Sequence, residues 1–390
     1  MHSLRGRTAI VGAADTAVGK VPDLSATELC VDAALRALAD AGIAKDEVDG
    51  LVTCQSMAEP HMYHAETVAE YLQIFPKYCV TANAGGGTTF SVIRNAAAAI
   101  AAGICETVVI SMADSLRSGL TREQAMAMQS ATGHPQFEIP YGPTVPAFYA
   151  LLARAHMDRY GTTSEQLAAV AVSARSYASQ RPGAQMTESI TVSDVLESRM
   201  IADPLHLLDC SLVSDGGAAV ILTSAGNAGN FRNKPVYLLG MGEGHSHEHI
   251  SQARSLTTSA AVQSGREAFA MAGLKAADID LAQIYDCFTP VVLIELEDLG
   301  FCEKGEGGAF VESGASAVDG ELPMNTNGGL LSYCHPGNPG SMFGLTEAVY
   351  QLRGDSGPRQ VSDAETALVH GQGGIMSSHA TLILGQEQVL

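Results

Sequence analysis

The segment NTNGGLLSYCHPG (325–337) places three side chains that can carry a proton, Tyr333, Cys334 and His335, in a row between two glycine clusters. Such side chains can exchange protons with a ligand, and glycine lets the backbone approach a ligand closely. A plain turn needs no such row. The row therefore raises the question of whether this loop binds a ligand, because a histidine held in a core or a loop is the commoner case in general.

Two further stretches carry residues of the same chemical kind. YDCFTP (285–290) contains the phenol of Tyr285 and the thiol of Cys287, and both groups can act as acid or base. Tyr285 follows a short apolar run, so it can equally be the last buried residue of a strand. HGQGG (370–374) adds His370, which either touches the reacting centre or closes its loop.

The cysteines give no sign of a metal site. There are 8 of them, scattered without CxxC pairs or His spacings suited to zinc. In a reducing compartment most of them are small buried hydrophobic residues. We therefore predict no metal site in this chain.

The composition limits the class of protein. With 390 residues, 46% of them apolar and 16% charged, the chain can bury a large core and is long enough for two domains. The net charge of -20 argues against binding to nucleic-acid phosphates. The longest strongly apolar stretch, AAAAIAAGI (96–104), is far shorter than the roughly 20 residues that span a bilayer. We expect a soluble cytoplasmic protein without membrane insertion or a nucleic-acid partner.

An internal repeat indicates which elements position these residues. CVDAALRALADAGIAKDEVDGLVTC (30–54) matches VQSGREAFAMAGLKAADIDLAQIYDC (262–287), and Ala41-Gly42-Ile43 falls on Ala272-Gly273-Leu274. Each copy has apolar residues at helical spacing, a glycine where the helix stops, an acidic turn and a short apolar strand. The repeat predicts the same helix-to-strand unit in two halves of the chain.

Short apolar runs predict further strands. TAIVGAA (8–14) and PVYLLGMG (235–242) open the two halves, and later strands are expected at 107–113, 218–224, 366–371 and 380–385. The alternation of strands and helices predicts an α/β architecture. We divide the chain into residues 1–230 and 231–390, with an inserted lid over about residues 115–200 in the first half.

With these features the sequence resembles the thiolase superfamily over essentially its whole length. The stretches that carry the resemblance are AAAAIAAGICETVVIS (96–111), MDRYGTTSEQLAAVAV (157–172), DCSLVSDGGAAVIL (209–222), YDCFTP, NTNGGLLSYCHPG and HGQGG. The sequence is most similar to the sterol-carrier-protein and lipid-transfer-protein-like thiolases, a group that includes steroid side-chain aldolases. The resemblance implies a duplicated five-layered αβαβα fold, a homodimer, and acyl-CoA substrates whose carbon–carbon bonds are made or broken.

The resemblance also implies roles for the residues above. His335 stands where thiolases have a histidine of the oxyanion hole, which stabilises a developing thioester enolate. Cys287 stands where the sterol-carrier type has an acid/base cysteine, and Tyr285 replaces a histidine, as in the aldolase-like members. A phenol with a lowered pKa at Tyr285 would take a proton from a β-hydroxyl group. Tyr333 is the second candidate phenol.

Glycines and His370 complete the implied site. Gly86, Gly328, Gly329 and Gly373 are expected to line the path of substrate and CoA, because glycine admits a ligand close to the backbone. His370 replaces the second cysteine of ordinary thiolases.

The nucleophilic cysteine of ordinary thiolases is absent. In VTANAGGGTTFSVIRN (80–95) an ungapped count places its position at Gly86, and motif matching places it at Asn83 or Ala84. Cys79 is the nearest thiol and is predicted to be a strand residue. Thr88 and Thr89 are poor nucleophiles without an adjacent base.

A retro-aldol cleavage needs no acyl-accepting nucleophile, whereas Claisen cleavage with acyl transfer does. The leading hypothesis is therefore an aldolase that cleaves a β-hydroxyacyl-CoA, with coenzyme A as part of the substrate and no other cofactor. The alternatives are an acyltransferase or β-ketoacyl-CoA thiolase with a non-standard nucleophile, and a non-catalytic homologue that binds lipid or CoA. The family further implies a small zinc-ribbon/OB-fold partner subunit.

Overall fold

The structure is a computed structural model that describes residues 4–390, so the first three residues of the predicted N-terminal half lie outside it. The strands are β1 (Thr8–Asp15), β2 (Gly50–Cys54), β3 (Tyr78–Ala82), β4 (Thr107–Ser115), β5 (Met200–Ala202), β6 (Leu205–His206), β7 (Asp215–Ser224), β8 (Val236–His245), β9 (Leu281–Ile284), β10 (Thr366–Gly373) and β11 (Ser378–Gly385). The α-helices are α1 (Ala26–Ala41), α2 (His64–Leu72), α3 (Thr88–Ala101), α4 (Arg122–Ser130), α5 (Val145–Tyr160), α6 (Ser164–Ala178), α7 (Val192–Glu197), α8 (Ala261–Ala272), α9 (Thr289–Asp298), α10 (Gly307–Glu312) and α11 (Gly340–Arg353). No helix within residues 4–390 is both long and apolar enough to cross a membrane.

Nine strands form a mixed sheet in the order β3-β2-β4-β7-β1-β8-β11-β10-β9, and β5 pairs with β6 separately. The first half of the chain supplies β3-β2-β4-β7-β1, and the second supplies β8-β11-β10-β9. The two half-sheets meet through a short antiparallel contact of β1 with β8, in which Ala9 pairs with Tyr237 and Ile10 pairs with Val236. Each half-sheet contains parallel and antiparallel pairs.

The helices complete five layers. α3 and α11 lie between the half-sheets, where Ile93 and Val349 share one apolar core with Val220 of β7 and Leu382 of β11. α1 and α2 cover the outer face of the first half-sheet, and α8 and α9 lie on the outer side of the second. The predicted αβαβα thiolase fold is confirmed.

The repeated unit has the predicted shape in both halves. α1 begins at Ser25, which forms a capping box with Glu28, and it ends at Gly42 in the left-handed conformation (φ 78°). α8 ends in the same way at Gly273 (φ 69°). A single 3₁₀ turn and then a buried strand follow each helix, β2 in one half and β9 in the other.

The chain between β4 and β7 carries α4 to α7 and the small β5–β6 sheet. α6 from this segment packs on the turn at residues 329–333, where the Arg175 Nε donates a hydrogen bond to the Ser332 Oγ at 2.9 Å. A Cβ built at Gly328 would lie 2.5 Å from the Cβ of Ala178, so the two backbones are in close contact. The segment thus covers the loop that carries Tyr333 and His335.

Candidate active site

Tyr285 and His335 form the centre of the site. Tyr285 directly follows β9, and His335 follows the turn at residues 329–333. The Tyr285 hydroxyl lies 2.9 Å from the His335 Nε2, and the two rings meet edge to face with centroids 5.8 Å apart. Burial raises the pKa of Tyr285 well above its usual value, with the neighbouring Cys287 and Asp286 adding to the effect. The expectation of a lowered phenol pKa is therefore wrong, and Tyr285 rests as a neutral phenol.

Serines hold His335 on its other sides. The Ser211 Oγ lies 2.9 Å from the His335 Nδ1, and the backbone N–H of His335 donates to the Ser214 Oγ at 2.8 Å. Burial lowers the pKa of His335 to about 4, so at pH 7 the ring is neutral and has one N–H donor and one acceptor nitrogen. The sequence analysis missed Ser211, because a single serine in a strand-flanking stretch carries no distinguishing pattern.

Gly86 touches the ring of Tyr285. A Cβ built at Gly86 would lie 2.4 Å from the Tyr285 Cε2 and 2.5 Å from its Cζ. Contacts this short do not occur between real Cβ atoms and their neighbours. The space that a side chain at this position would need is therefore filled by the Tyr285 ring, and Gly86 lies just before the N-terminus of α3.

The other nucleophile candidates are engaged in structure. Cys79 is a residue of β3, as predicted, and burial raises its pKa to about 11. The Thr88 Oγ1 accepts a hydrogen bond from the backbone N–H of Ala84 at 2.6 Å. The Thr89 Oγ1 donates to the sulfur of Met112 at 3.6 Å. None of these groups is poised as a nucleophile.

Cys287 lies beside groups from two other elements. The side-chain amide of Gln372 donates to the Cys287 sulfur at 3.2 Å and to the Tyr149 hydroxyl at 2.7 Å. Tyr149, from α5 in the segment between β4 and β7, in turn donates to the carbonyl of Gly374 at 2.9 Å. Burial raises the pKa of Cys287 far above its usual value, so the thiol keeps its proton. Tyr149 and Gln372 had no sequence signal that pointed to Cys287.

Tyr333 points to a different set of partners. Its hydroxyl donates to the Asp15 carboxylate at 3.2 Å and accepts from the Arg181 guanidinium at 3.2 Å. Arg181 also stacks over the Tyr333 ring at 4.8 Å. Its phenol forms no hydrogen bond to Tyr285 or His335 within the described residues, and its participation in the chemistry stays a prediction.

His370 belongs to a separate buried cluster. Its Nδ1 lies 2.8 Å from the Thr381 Oγ1, and its Nε2 lies 3.1 Å from the His379 Nδ1 and 3.5 Å from the Glu295 Oε1. Burial lowers the pKa of His370 to about 3. Glu295 and His379 were not predicted to belong to any site, because they lie far from His370 or outside its motif in sequence.

The four glycines of the predicted site all lie in close backbone packing. A Cβ at Gly329 would lie 2.0 Å from the Asp286 carboxylate, and one at Gly373 would lie 1.9 Å from a backbone oxygen in the loop before α3. Gly328 packs on α6 and Gly86 on Tyr285, as described above. Packing alone thus accounts for glycine at these positions, and their contact with CoA stays a prediction.

A small cavity adjoins the centre of the site. Its walls include Tyr285, Asp286, Asn325, Gly340 and His370. Asp286 accepts a hydrogen bond from the backbone N–H of Leu330 at 2.7 Å, and burial raises its pKa to about 7. The site therefore offers a paired phenol and imidazole, a protonated thiol and a buried carboxyl group, which together can move protons without a covalent intermediate.

Family models match both halves of the chain. The family model described as "Thiolase, N-terminal domain" matches residues 8–226, and "Thiolase C-terminal domain-like" matches residues 242–386. The chain belongs to the thiolase family. Among its relatives, an "Acetyl-CoA acetyltransferase" of Methanothermobacter thermautotrophicus is 35% identical over 97% of this chain and 99% of its own length.

Other relatives of this thiolase-family protein are named as a lyase or an aldolase. The "17-hydroxy-3-oxo-4-pregnene-20-carboxyl-CoA lyase" of Mycobacterium tuberculosis is 37% identical over 98% of this chain and 100% of its own length. The solved structure of the "Ltp2-ChsH2(DUF35) aldolase" has a TM-score of 0.88 and 35% identity, and the match covers 100% of both chains. The resemblance to the group that includes steroid side-chain aldolases is confirmed.

Proposed function

We propose that this thiolase-family protein is an aldolase that cleaves β-hydroxyacyl-CoA thioesters into a ketone or aldehyde and a shorter acyl-CoA, or joins them in reverse. The observation that carries the proposal is the contact of Gly86 with Tyr285. The phenol ring fills the space that a nucleophilic side chain at position 86 would need. A base for a hydroxyl group thus lies at one of the two places predicted for the acyl-accepting thiol of ordinary thiolases, the one given by the ungapped count.

The Tyr285–His335 pair supplies the first proton transfer. The Tyr285 oxygen takes the proton of the β-hydroxyl group as its own proton passes along the 2.9 Å hydrogen bond to the His335 Nε2. This shuttle suits a phenol whose pKa is raised by burial, because no free phenolate has to form. The Cα–Cβ bond then breaks, the carbonyl product leaves, and the electron pair of the bond remains in the thioester enolate.

The remaining groups complete the cycle. The Nε2–H of His335 donates to the enolate oxygen, where negative charge has developed. The Cys287 thiol, which keeps its proton at neutral pH, gives that proton to the α-carbon. His335 then gives up the extra proton that it received from Tyr285, and the Cys287 thiolate takes up a proton, so the reaction gains and loses no proton overall.

The acetyltransferase relative favours one second candidate, an acyltransferase that uses a non-standard nucleophile. Cys79 is the thiol nearest in sequence to the expected position, but it lies in a strand with a pKa raised to about 11. A thiol in that state reacts slowly as a nucleophile. We therefore place this candidate second.

A panel of β-hydroxyacyl-CoA thioesters tests the proposal directly. The carbonyl product and the shorter acyl-CoA are measured by liquid chromatography and mass spectrometry, with the protein alone and with a DUF35-type subunit. We expect release of both products in equal amounts, and release slowed by about 10²–10⁴-fold in the Tyr285→Phe variant. A panel left uncleaved in both settings overturns the proposal.

We also propose that the chain works with a small zinc-ribbon/OB-fold subunit of the DUF35 type. The similar solved aldolase is named as an assembly of Ltp2 with ChsH2(DUF35). The chain has 22 Lys and Arg residues against 42 Asp and Glu, which fits a partner that contributes positive charge for the CoA phosphates. Co-expression with such a subunit followed by gel filtration checks this proposal.

We further propose a homodimer formed at the β3 edge of the sheet. β3 pairs with β2 alone among the described strands, and all five of its residues are half-buried whereas those of β2 are buried. Phe75, just before this strand, is 100% exposed, and Tyr71 is 56% exposed. An open edge next to apolar side chains favours association with another chain. Light scattering of the Phe75→Glu variant, which we expect to shift towards monomer, checks it.

A further inference from the structure

Three buried side chains converge on one point beside the active site. Glu295 projects from α9, and His370 and His379 project from the β10–β11 hairpin. The His370 Nε2 lies 3.1 Å from the His379 Nδ1 and 3.5 Å from the Glu295 Oε1, and the last two atoms lie 3.8 Å apart. All three side chains are closed to solvent. These three atoms form a compact triangle of nitrogen and oxygen donors.

The Glu295 carboxylate lacks the partners that a buried anion needs. Neither of its oxygens accepts a hydrogen bond from any group within residues 4–390. The charged groups that act on it are the carboxylates of Asp298 and Asp286, which are also negative. A buried carboxylate without donors or a counter-charge is costly, so the site lacks a positive charge at this point.

Both histidines present a ring nitrogen to the cluster, and His370 is held in place from its other side. Thr381 holds the His370 Nδ1 at 2.8 Å and is itself 2.8 Å from the Ser264 Oγ, which leaves the Nε2 to face the cluster. Metal-binding histidines typically have their second ring nitrogen fixed in this way. The His379 Nδ1 faces the cluster, and its Nε2 is buried without a hydrogen-bond partner among the described residues.

The triangle has the size of a metal site. Zn²⁺ binds imidazole nitrogen and carboxylate oxygen at about 2.0–2.2 Å, and a tetrahedral arrangement then puts ligand atoms roughly 3.4 Å apart. The three separations of 3.1, 3.5 and 3.8 Å bracket that value. We propose that Glu295, His370 and His379 bind a divalent first-row metal ion, with Zn²⁺ as the ion to test. Two imidazoles and one carboxylate are a donor set that such ions accept.

The position of the site gives the ion a structural role. It would join α9, which begins shortly after Cys287, to the hairpin on which His370 pairs in register with Ile284, the residue before Tyr285. The ion would thus fix the two segments that carry Tyr285 and Cys287. His370 then serves as a ligand and not as a proton donor to substrate. This inference does not depend on the proposed aldolase reaction.

Metal content and thermal stability test the proposal without any activity assay. The protein is stripped with a chelator, titrated with Zn²⁺, and measured by calorimetry, elemental analysis and thermal unfolding. We expect one ion per chain, a rise in Tm on binding, and visible absorption bands from the Co²⁺-loaded protein. The Glu295→Gln variant keeps the shape of the side chain, and we expect it to bind Zn²⁺ on the order of 100-fold or more weakly.

Two further variants separate this site from accidental binding. His379→Gln removes a second ligand and should show the same loss, with far-ultraviolet circular dichroism to establish that both variants fold. His61→Gln removes a surface histidine that lies 3.6 Å from Glu59, and it should bind Zn²⁺ as the parent does. No binding by the parent protein, or binding that survives Glu295→Gln and His379→Gln, overturns the proposal. In that case a protonated Glu295 hydrogen-bonded to the histidines accounts for the cluster.

Discussion

The two copies of the repeated helix-to-strand unit end in different surroundings. In the first half, β2 ends at the buried Cys54, and the loop that follows is closed by the carboxylate of Asp114. That carboxylate accepts hydrogen bonds from the Ser56 hydroxyl at 2.9 Å and from the backbone N–H of Met57 at 2.7 Å. The Asp114 carboxylate thus serves to fix the loop.

In the second half, the position equivalent to Cys54 is Tyr285, and its hydroxyl is directed at His335 instead of at a loop. Cys287 and Asp286 follow within two residues and face Gln372 and a cavity. The first half contributes the glycine loop before α3, whose backbone gives the Tyr285 ring its space. A duplicated fold can therefore keep the same frame in both halves while only the second half carries a phenol–imidazole pair at the end of this strand.

Among the changes that test the role of the second half, Tyr285→Phe is expected to have the largest effect on activity. It removes the hydroxyl group and keeps the ring against Gly86. We expect kcat/KM for cleavage of a β-hydroxyacyl-CoA to fall by about 10²–10⁴-fold, because the base for the hydroxyl proton is lost. Tyr63→Phe, which alters a tyrosine that is 66% exposed, provides the matched control. Activity of Tyr285→Phe close to that of the control would remove Tyr285 from the mechanism.

His335→Gln is expected to have the next largest effect. The amide keeps a hydrogen-bond donor near the enolate oxygen but cannot accept the proton of Tyr285. We expect kcat to fall by roughly 10²–10³-fold, the usual loss when a preorganised donor in such a site is disturbed. Steady-state kinetics beside the Ser211→Ala variant, which loses only the contact at Nδ1 and should be less impaired, checks the assignment.

A cysteine introduced at position 86 tests whether the Tyr285 ring leaves too little space for a nucleophilic side chain there. In Gly86→Cys the new side chain collides with the Tyr285 ring, so we expect a loss of about 1–3 kcal/mol in unfolding free energy and no acyl adduct with acyl-CoA. In the Gly86→Cys/Tyr285→Ala double variant the collision is removed, and the thiol lies near the N-terminus of α3, which favours a thiolate. We expect intact-protein mass spectrometry to show an adduct in the double variant alone; an adduct in the single variant would mean that the ring does not block the position.

The change of the unfolding free energy with pH, compared between the parent and His335→Gln, tests the lowered pKa of His335. Its pKa is lowered from the usual 6.5 to about 4 in the folded protein. The folded state therefore favours the neutral ring. Its contribution to the unfolding free energy is fully present above pH 6.5 and is lost as the pH falls from 6.5 towards 4. Denaturant unfolding should show the parent losing up to about 1.4 kcal/mol per pH unit relative to His335→Gln across this window. Parallel pH curves for the two proteins would contradict the shift.

The smallest effect is expected from Cys79→Ser. Cys79 lies half-buried in the edge strand β3, and its pKa is raised, so its thiol takes no part in the proposed reaction. We expect unchanged cleavage kinetics and an unchanged intact mass after incubation with acyl-CoA. Loss of an acyl adduct in this variant would instead favour the acyltransferase alternative.

Much of the fold could be predicted from the sequence because it rests on local patterns. The apolar runs at 107–113, 218–224, 366–371 and 380–385 lie within β4, β7, β10 and β11, since a buried strand needs such a run. The internal repeat predicted α1, α8 and the strands that follow them. The prediction holds because Gly42 and Gly273 end the two helices in the same left-handed conformation.

The site was only partly predictable, because its contacts join distant parts of the chain. Motifs identified Tyr285, Cys287 and His335, but only the fold brings Gly86 against the Tyr285 ring and Ser211 against His335. The direction of the Tyr285 pKa shift was wrong because burial cannot be read from a hexapeptide. The cluster of Glu295, His370 and His379 could not be predicted either, since no short spacing of Cys and His marks it in the sequence.

The most direct test of the central claim is cleavage of a β-hydroxyacyl-CoA in D₂O, with the protein mass recorded during turnover. A nucleophile-free retro-aldol reaction predicts one deuterium on the α-carbon of the shorter acyl-CoA, an equal amount of the carbonyl product, and a protein mass that never changes. An acyl group found on the protein during turnover would contradict the account.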